Sequence, residues 1–275
     1  MLGKIVRKTL TRPGVATHLG WQSQLSAQAT RLSYTTGQLN SVDLVVTQAQ
    51  LVRDLVIKQG VDVEHIKLVP YGLSLNGKNS VVSSQSDHPF RIGYLGNLLP
   101  FKGAHMLVAA FKQLRVGERQ VELYFYGDKN KWPDYTRRLQ KLAANDPRIV
   151  FAGRYSNDEV GKILSTFDVL VVPSLWYEIG PLVTMEAFIS KIPVVAANIP
   201  NMLYQVTHQV NGLLYEADSV EDLARQLQRL VDDPQLLTNL RRGISPVRSF
   251  EQEMNDWTEI YQSILTKRQT ESLDI

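Results

Sequence analysis

Three short stretches hold residues whose types and spacing could do chemistry. In Gly93-Tyr94-Leu95-Gly96-Asn97-Leu98-Leu99-Pro100-Phe101-Lys102-Gly103, glycines close an apolar run and Lys102 stands just before a segment of helical period. A cation at a helix N-terminus is opposed by the helix dipole, whereas a phosphate there would gain both the lysine and the free helix N–H groups. A solvated loop lysine is the plainer alternative. The spacing is neither GxxxxGK[ST] nor GxGxxG, so neither phosphate fingerprint applies. In Pro173-Ser174-Leu175-Trp176-Tyr177-Glu178-Ile179-Gly180-Pro181-Leu182-Val183-Thr184-Met185-Glu186, one carboxylate falls in a loop and the other inside a helix opened by Pro181. Two carboxylates flanking the N–H groups of Gly180 and Leu182 would suit a polyhydroxylated ligand that carries phosphate. Glutamates that merely favour a helix start would look the same. Trp176 and Tyr177 read equally as a ligand wall or as loop-base packing. In Phe151-Ala152-Gly153-Arg154-Tyr155-Ser156, backbone at a strand end could meet a nucleobase edge, or simply make a tight turn.

Other chemistries lack their parts. The chain of 275 residues has no Cys, so disulfides, thiolate zinc sites and thiol nucleophiles are excluded and a reducing, cytoplasmic setting is expected. His18, His65, His88, His105 and His208 form no metal-ligand spacing, and neither HExxH, an EF-hand loop nor GxSxG occurs. The expectation is a site without metal and without a bound cofactor.

The elements that must position these residues follow from the hydrophobic pattern. Arg91–Leu95, Val121–Tyr126, Arg148–Phe151, Asp168–Val172, Pro193–Ala196 and Gly212–Tyr215 are apolar runs of strand length. Between them lie helical segments Ala104–Leu114, Asp134–Ala144, Asn157–Thr166, Leu182–Ile189 and Val220–Val231. Alternation of this kind predicts an α/β, doubly wound parallel sheet of Rossmann type over residues 90–246. Ligands of such sheets bind beyond the carboxyl ends of the strands, where all three stretches fall.

Upstream, Val42–Thr47 and Ile66–Pro70 are strand-like and flank a helical Gln48–Lys58. Two strands do not make an independent domain, so residues 1–75 read as part of another one. Residues 76–89 are polar and read as a linker. At the other end, Met254, Trp257, Ile260, Tyr261 and Ile264 recur every three or four residues, predicting a helix with one apolar stripe within 247–275.

The formal net charge of +3 is unevenly spread. Lys4, Arg7, Lys8, Arg12 and Arg31 all precede the first acidic residue, Asp43, so the remaining 25 basic residues face all 27 acidic ones. Such a start could contact anionic lipid, act as a targeting segment, or be a solvated helix. The body has no basic stripe with interleaved aromatics, which argues against nucleic acid as a partner.

Taken together, these loops resemble the family 4 retaining glycosyltransferases of the GT-B fold, also called glycosyl transferases group 1. GYLGNLLPFKGAHMLVAAF is similar to their strand–glycine–lysine segment and PSLWYEIGPLVTMEAFISKIPVVA to their E-x7-E block. SVDLVVTQAQLVRDLVIKQGVDVEHIKLVPYGL is similar to the end of their acceptor domain, and SFEQEMNDWTEIYQSIL to a final helix that crosses back to it. The resemblance implies a C-terminal donor domain with only part of the N-terminal acceptor domain, and transfer from a nucleotide diphosphate sugar with retention and without metal. Lys102 would pair with the pyrophosphate near Gly96 and Asn97, where the family commonly has arginine at the position of Asn97. Glu186 would hold the ribose hydroxyls and Glu178 the donor sugar hydroxyls, with Lys102 and Glu178 as the catalytic pair. Backbone from Gly180 through Pro181 to Leu182 would lie near sugar and phosphate, and Arg154 backbone near the base. Expected partners are the nucleotide-sugar donor, a carbohydrate or lipid-linked acceptor, and a second chain that completes the acceptor side. A non-catalytic, decayed or partner-dependent subunit is the alternative.

Overall fold

The computed structural model describes residues 21–74, 88–115, 117, 119–176 and 179–273. The chain divides into two compact units, one comprising the chain up to Val69 with Ile264–Ile275, the other Pro70–Ser263.

In the first unit, helix α1 (Trp21–Asn40) is followed by strand β1 (Val45–Thr47), helix α2 (Gln50–Lys58) and strand β2 (Ile66–Leu68). The two strands pair in parallel, Val45 opposite Ile66. The end of α1 is fastened by Asn40, whose Nδ2 donates to Gly60 O at 3.1 Å while its Oδ1 accepts the Asp62 N–H at 3.1 Å. Arg268 forks onto Asp43 at 2.6 and 3.2 Å, and this pairing holds the Asp43 carboxyl below its ordinary range. Of the basic residues preceding Asp43, only Arg31 lies among the described residues, in α1; Lys4, Arg7, Lys8 and Arg12 lie outside them. No helix among the described residues is long and apolar enough to cross a membrane.

The second unit contains a six-stranded sheet. Its elements are β3 (Phe90–Leu95), α3 (Ala104–Phe111), β4 (Val121–Tyr126), α4 (Pro133–Ala143), β5 (Ile149–Gly153), α5 (Val160–Leu164) and β6 (Val169–Val172). Then come α6 (Leu182–Ile189), β7 (Val194–Ala197), β8 (Gly212–Tyr215), α7 (Val220–Asp232) and α8 (Pro234–Arg242). Helix α9 (Phe250–Leu273) runs from the second unit into residues grouped with the first.

All pairings are parallel, in the order β5-β4-β3-β6-β7-β8. The winding therefore reverses between β3 and β6, the switch point at which doubly wound sheets bind ligands. Side chains alternate between two cores because a strand has a period of two. Ile92, Val171 and Val195 join one core with α3, α4, α7 and α8. Leu95, Leu170 and Val194 join the other with α5 and α6. The edges of the six predicted strands agree with those observed to within two residues.

Helix α8 was not anticipated, although its start is well specified. Asp233 accepts the N–H groups of Gln235 and Leu236, and Pro234 occupies the first turn, where its missing N–H costs nothing. The predicted Asn157–Thr166 helix begins instead as a 3-10 turn, Asn157–Glu159, with a reciprocal capping box between Ser156 and Glu159. Most of the polar segment 76–89 lies outside the described residues.

Candidate functional site

The site is built at the carboxyl ends of β3 and β6, on either side of the switch point. After β3 the chain makes a 3-10 turn, Pro100–Lys102, and enters α3 through Gly103 in the left-handed conformation, φ +70°. A Cβ on Gly103 would lie 1.8 Å from Pro173 O, so only glycine lets the β3 loop close onto the residue that ends β6. Leu175 N–H donates to Phe101 O at 2.8 Å, which ties the same two loops together again.

Between these loops lies a cavity of about 290 Å³, lined by Gly96, Asn97 and Lys102 from the β3 side and by Gly180, Pro181, Leu182, Val183 and Glu186 from the β6 side. Helix α6 begins at Leu182, with Pro181 as its N-cap rather than its first helical residue, and no side chain caps it. Thr184 N–H donates to Pro181 O at 3.0 Å, and the two residues that precede it in α6, Leu182 and Val183, line the cavity. An uncapped helix start with a lysine across from it is a ready acceptor for an anion.

Glu186 is in the second turn of α6. Its carbonyl O accepts the Ser190 N–H at 3.1 Å within the helix, while among the described residues its carboxylate has no hydrogen-bond or ion-pair partner, and burial pushes that carboxyl above the ordinary glutamate range. A half-buried carboxylate with open acceptor positions is suited to ligand hydroxyls. Tyr155 also lines this cavity, and its hydroxyl is raised first by burial and then by the nearby Glu186 charge.

A second cavity, of about 330 Å³, adjoins the first and shares Gly96, Asn97 and Tyr155 with it. Its remaining wall comes from the ends of β4 and β5, including Asp128, Lys131 and Arg154. The strand ends are laced together: Gly96 N–H donates to Tyr126 O at 3.0 Å and Gly127 N–H to Gly153 O at 2.8 Å. Arg154 Nε lies 3.9 Å from Asp128 Oδ2, and its side chain is largely exposed.

Of the residues singled out in the sequence, Gly96, Asn97, Lys102, Gly180, Pro181, Leu182 and Glu186 thus line one cavity, and Arg154 lines its neighbour. Tyr177 and Glu178 lie outside the described residues. Trp176 is 64% exposed and packs against Phe101 at 6.3 Å between ring centroids. Sequence reasoning missed Asp128 and Lys131, because Asp128-Lys129-Asn130-Lys131 reads as an ordinary polar turn. Their position just past the carboxyl end of the predicted strand Val121–Tyr126 was the available signal. Among the described residues no group of three or more His, Asp or Glu side chains could hold a metal ion.

Known proteins share both the sequence pattern and the architecture. A 2-deoxystreptamine glucosyltransferase of Streptomyces kanamyceticus is 31% identical over 153 residues, which cover 55% of this chain and 39% of the relative. A D-inositol 3-phosphate glycosyltransferase of Corynebacterium glutamicum is 30% identical over 161 residues, 57% of this chain and 38% of the relative. The chain thus matches about two fifths of the length of each. Among solved structures, Anabaena Alr3699/HepE in complex with UDP superposes with a TM-score of 0.75 at 23% identity, covering 85% of this chain and 68% of that one. Sucrose-phosphate synthase of Thermosynechococcus elongatus gives a TM-score of 0.71 at 24% identity, covering 87% of this chain and 62% of that one. These likenesses carry the fold, a mixed α/β architecture of GT-B type. The sequence model described as "Glycosyl transferases group 1" matches residues 89–233, which hold the whole six-stranded sheet and both cavities, and the chain belongs to that family.

Proposed function

We propose that this chain binds a nucleotide diphosphate sugar across the switch point and supplies the donor half of a sugar transfer with retention of configuration and without a metal ion. The observation that carries the reading is the meeting of Lys102, the uncapped start of α6 and the unpartnered Glu186 in one cavity. In that reading the bond from the anomeric carbon to the diphosphate oxygen breaks, and the acceptor oxygen bonds to the same face of the sugar. The acceptor proton passes to a phosphate oxygen of the departing diphosphate. Charge grows on that diphosphate in the transition state, so Lys102 and the amides of Leu182 and Val183 contribute where electrostatic stabilisation is worth most. Glu186 receives the ribose hydroxyls, Arg154 backbone borders the base, and Glu178 is expected at the donor sugar. The structure of HepE holds UDP, which makes UDP the first nucleotide to try. The acceptor, a carbohydrate or a lipid-linked sugar, needs the acceptor side of the fold or a second chain that supplies it.

The test is calorimetric titration of UDP, GDP and ADP into the full chain and into Lys102→Ala and Glu186→Ala. Each substitution removes charge-assisted hydrogen bonds worth about 1.5–3 kcal/mol, so affinity should fall about 10- to 100-fold. Absence of binding by the folded wild-type chain would overturn the donor-site reading and leave a non-catalytic subunit in its place. That alternative draws on Asn97, which stands where a second phosphate-directed cation is common.

A further inference from the structure

The loop from Gly127 to Trp132 brings a cation to the wall of the second cavity, within reach of Asn97, which lines both. Gly127 seats the loop so closely on the β3 loop that a Cβ there would lie 2.2 Å from Gly96 O. From this loop Lys131 donates through Nζ to Asn97 Oδ1 at 3.3 Å. Among the described residues Lys131 has no carboxylate partner. Asp128 accepts the Asn130 N–H at 2.9 Å through Oδ1, and its other oxygen is the one near Arg154. Asp134, in the first turn of α4, pairs with Arg137. Lys131 also precedes α4 by two residues, where the helix dipole disfavours a cation, and the N-cap Trp132 offers no side-chain cap. An ammonium group held, among the described residues, only by a neutral amide, beside an unfavourable dipole and at the wall of a cavity, is a charge that an anion would balance.

Gly96 and Asn97 line both cavities, so a ligand that fills the two must pass Asn97. For a nucleotide diphosphate sugar, the group that links its two ends is the diphosphate. We propose that Lys131 is a second phosphate-binding cation of this site, acting from the opposite side of Asn97 to Lys102, with Asn97 as the residue that positions it. The inference rests on the donor-site reading above. It adds a specific consequence, that Lys131 makes the site prefer a nucleoside diphosphate over the monophosphate.

The experiment is titration of UDP, UMP and uridine, with GDP/GMP and ADP/AMP as further pairs, into the full chain. The variants are Lys131→Met, which keeps the apolar stem, and Lys131→Met combined with Asn97→Arg, which returns a cation from the neighbouring residue. Melting curves without ligand check that the variants fold. Lys131→Met should weaken the best-bound diphosphate about tenfold and its monophosphate less than threefold, and Asn97→Arg should recover most of the loss. A wild-type chain that binds a diphosphate, with Lys131→Met binding it equally well, overturns the assignment of Lys131 and leaves the donor site standing. Equal losses for UDP, UMP and uridine overturn it too, since Lys131 would then serve the nucleoside. No binding of any diphosphate by the wild-type chain overturns both readings at once.

Discussion

At the scale of single residues, the proposed role of Glu186 sets stability against ligand binding. Its carboxyl is raised above the ordinary value because burial penalises the charged form. A carboxyl whose folded-state value is raised costs the fold nothing below the unfolded value of about 4.3. The cost grows as pH rises from that unfolded value towards the raised folded value and levels off above it. Glu186→Gln removes that cost. The variant should therefore melt higher than the wild-type chain at pH 7–8, and the advantage should vanish near pH 4. The same variant should bind nucleotide more weakly, because an amide oxygen is a poorer acceptor for hydroxyl groups than a carboxylate. Melting curves across pH, with and without UDP, check both directions. Equal melting of the two proteins at pH 8 would mean that Glu186 is not held at a cost.

At the scale of elements, the site depends on two loops that close onto each other at one glycine. Gly103→Ala would place a methyl group against Pro173 O and force a left-handed backbone on a residue with a Cβ. The expected loss is about 2 kcal/mol or more in denaturant unfolding. Nucleotide affinity should fall as well, since Lys102 is the preceding residue; unchanged stability and affinity would show that the loop contact does not hold the site. The elements themselves were largely legible in the sequence. Val169–Val172 and Val194–Ala197 are buried on both faces, and such strands appear as unbroken apolar runs. Helix α8 was missed even though Asp233-Pro234 is a strong start signal and Leu237 and Leu240 are buried, because the apolar run of α7 reads as complete at Val231. Helix α1 was legible only as one alternative, a solvated helix, because Gln22-Ser23-Gln24 and Thr35-Thr36-Gly37-Gln38 carry little apolar periodicity. For the candidate site, chain-local signals were enough to single out Lys102 and Glu186, which the structure brings to one cavity. The contact of Lys131 with Asn97 was not legible, because it depends on β4 lying beside β3, which is a property of sheet order rather than of spacing.

At the scale of the whole molecule, the six-stranded sheet and both cavities belong to the unit Pro70–Ser263, so the proposed donor site draws its lining from that unit. Transfer is a different matter. In the proposed reaction, acceptor recognition and closure over the donor need a second wall besides these two cavities. Binding and turnover should therefore separate. A ligand that binds only the folded state stabilises it by about 2.7 kcal/mol at one hundred times its dissociation constant. For a cooperative unit of roughly 150–250 residues, each kcal/mol raises the melting temperature by about 2–4 °C. The best-bound nucleoside diphosphate should thus raise it by about 5–10 °C, while the same preparation incubated with the corresponding nucleotide sugar and simple glycosides releases diphosphate no faster than a Lys102→Ala control. A clear thermal shift without turnover would assign the chain as a donor-binding part that works with an acceptor-side partner. Turnover above the control would show that this chain alone provides enough of the acceptor side for catalysis.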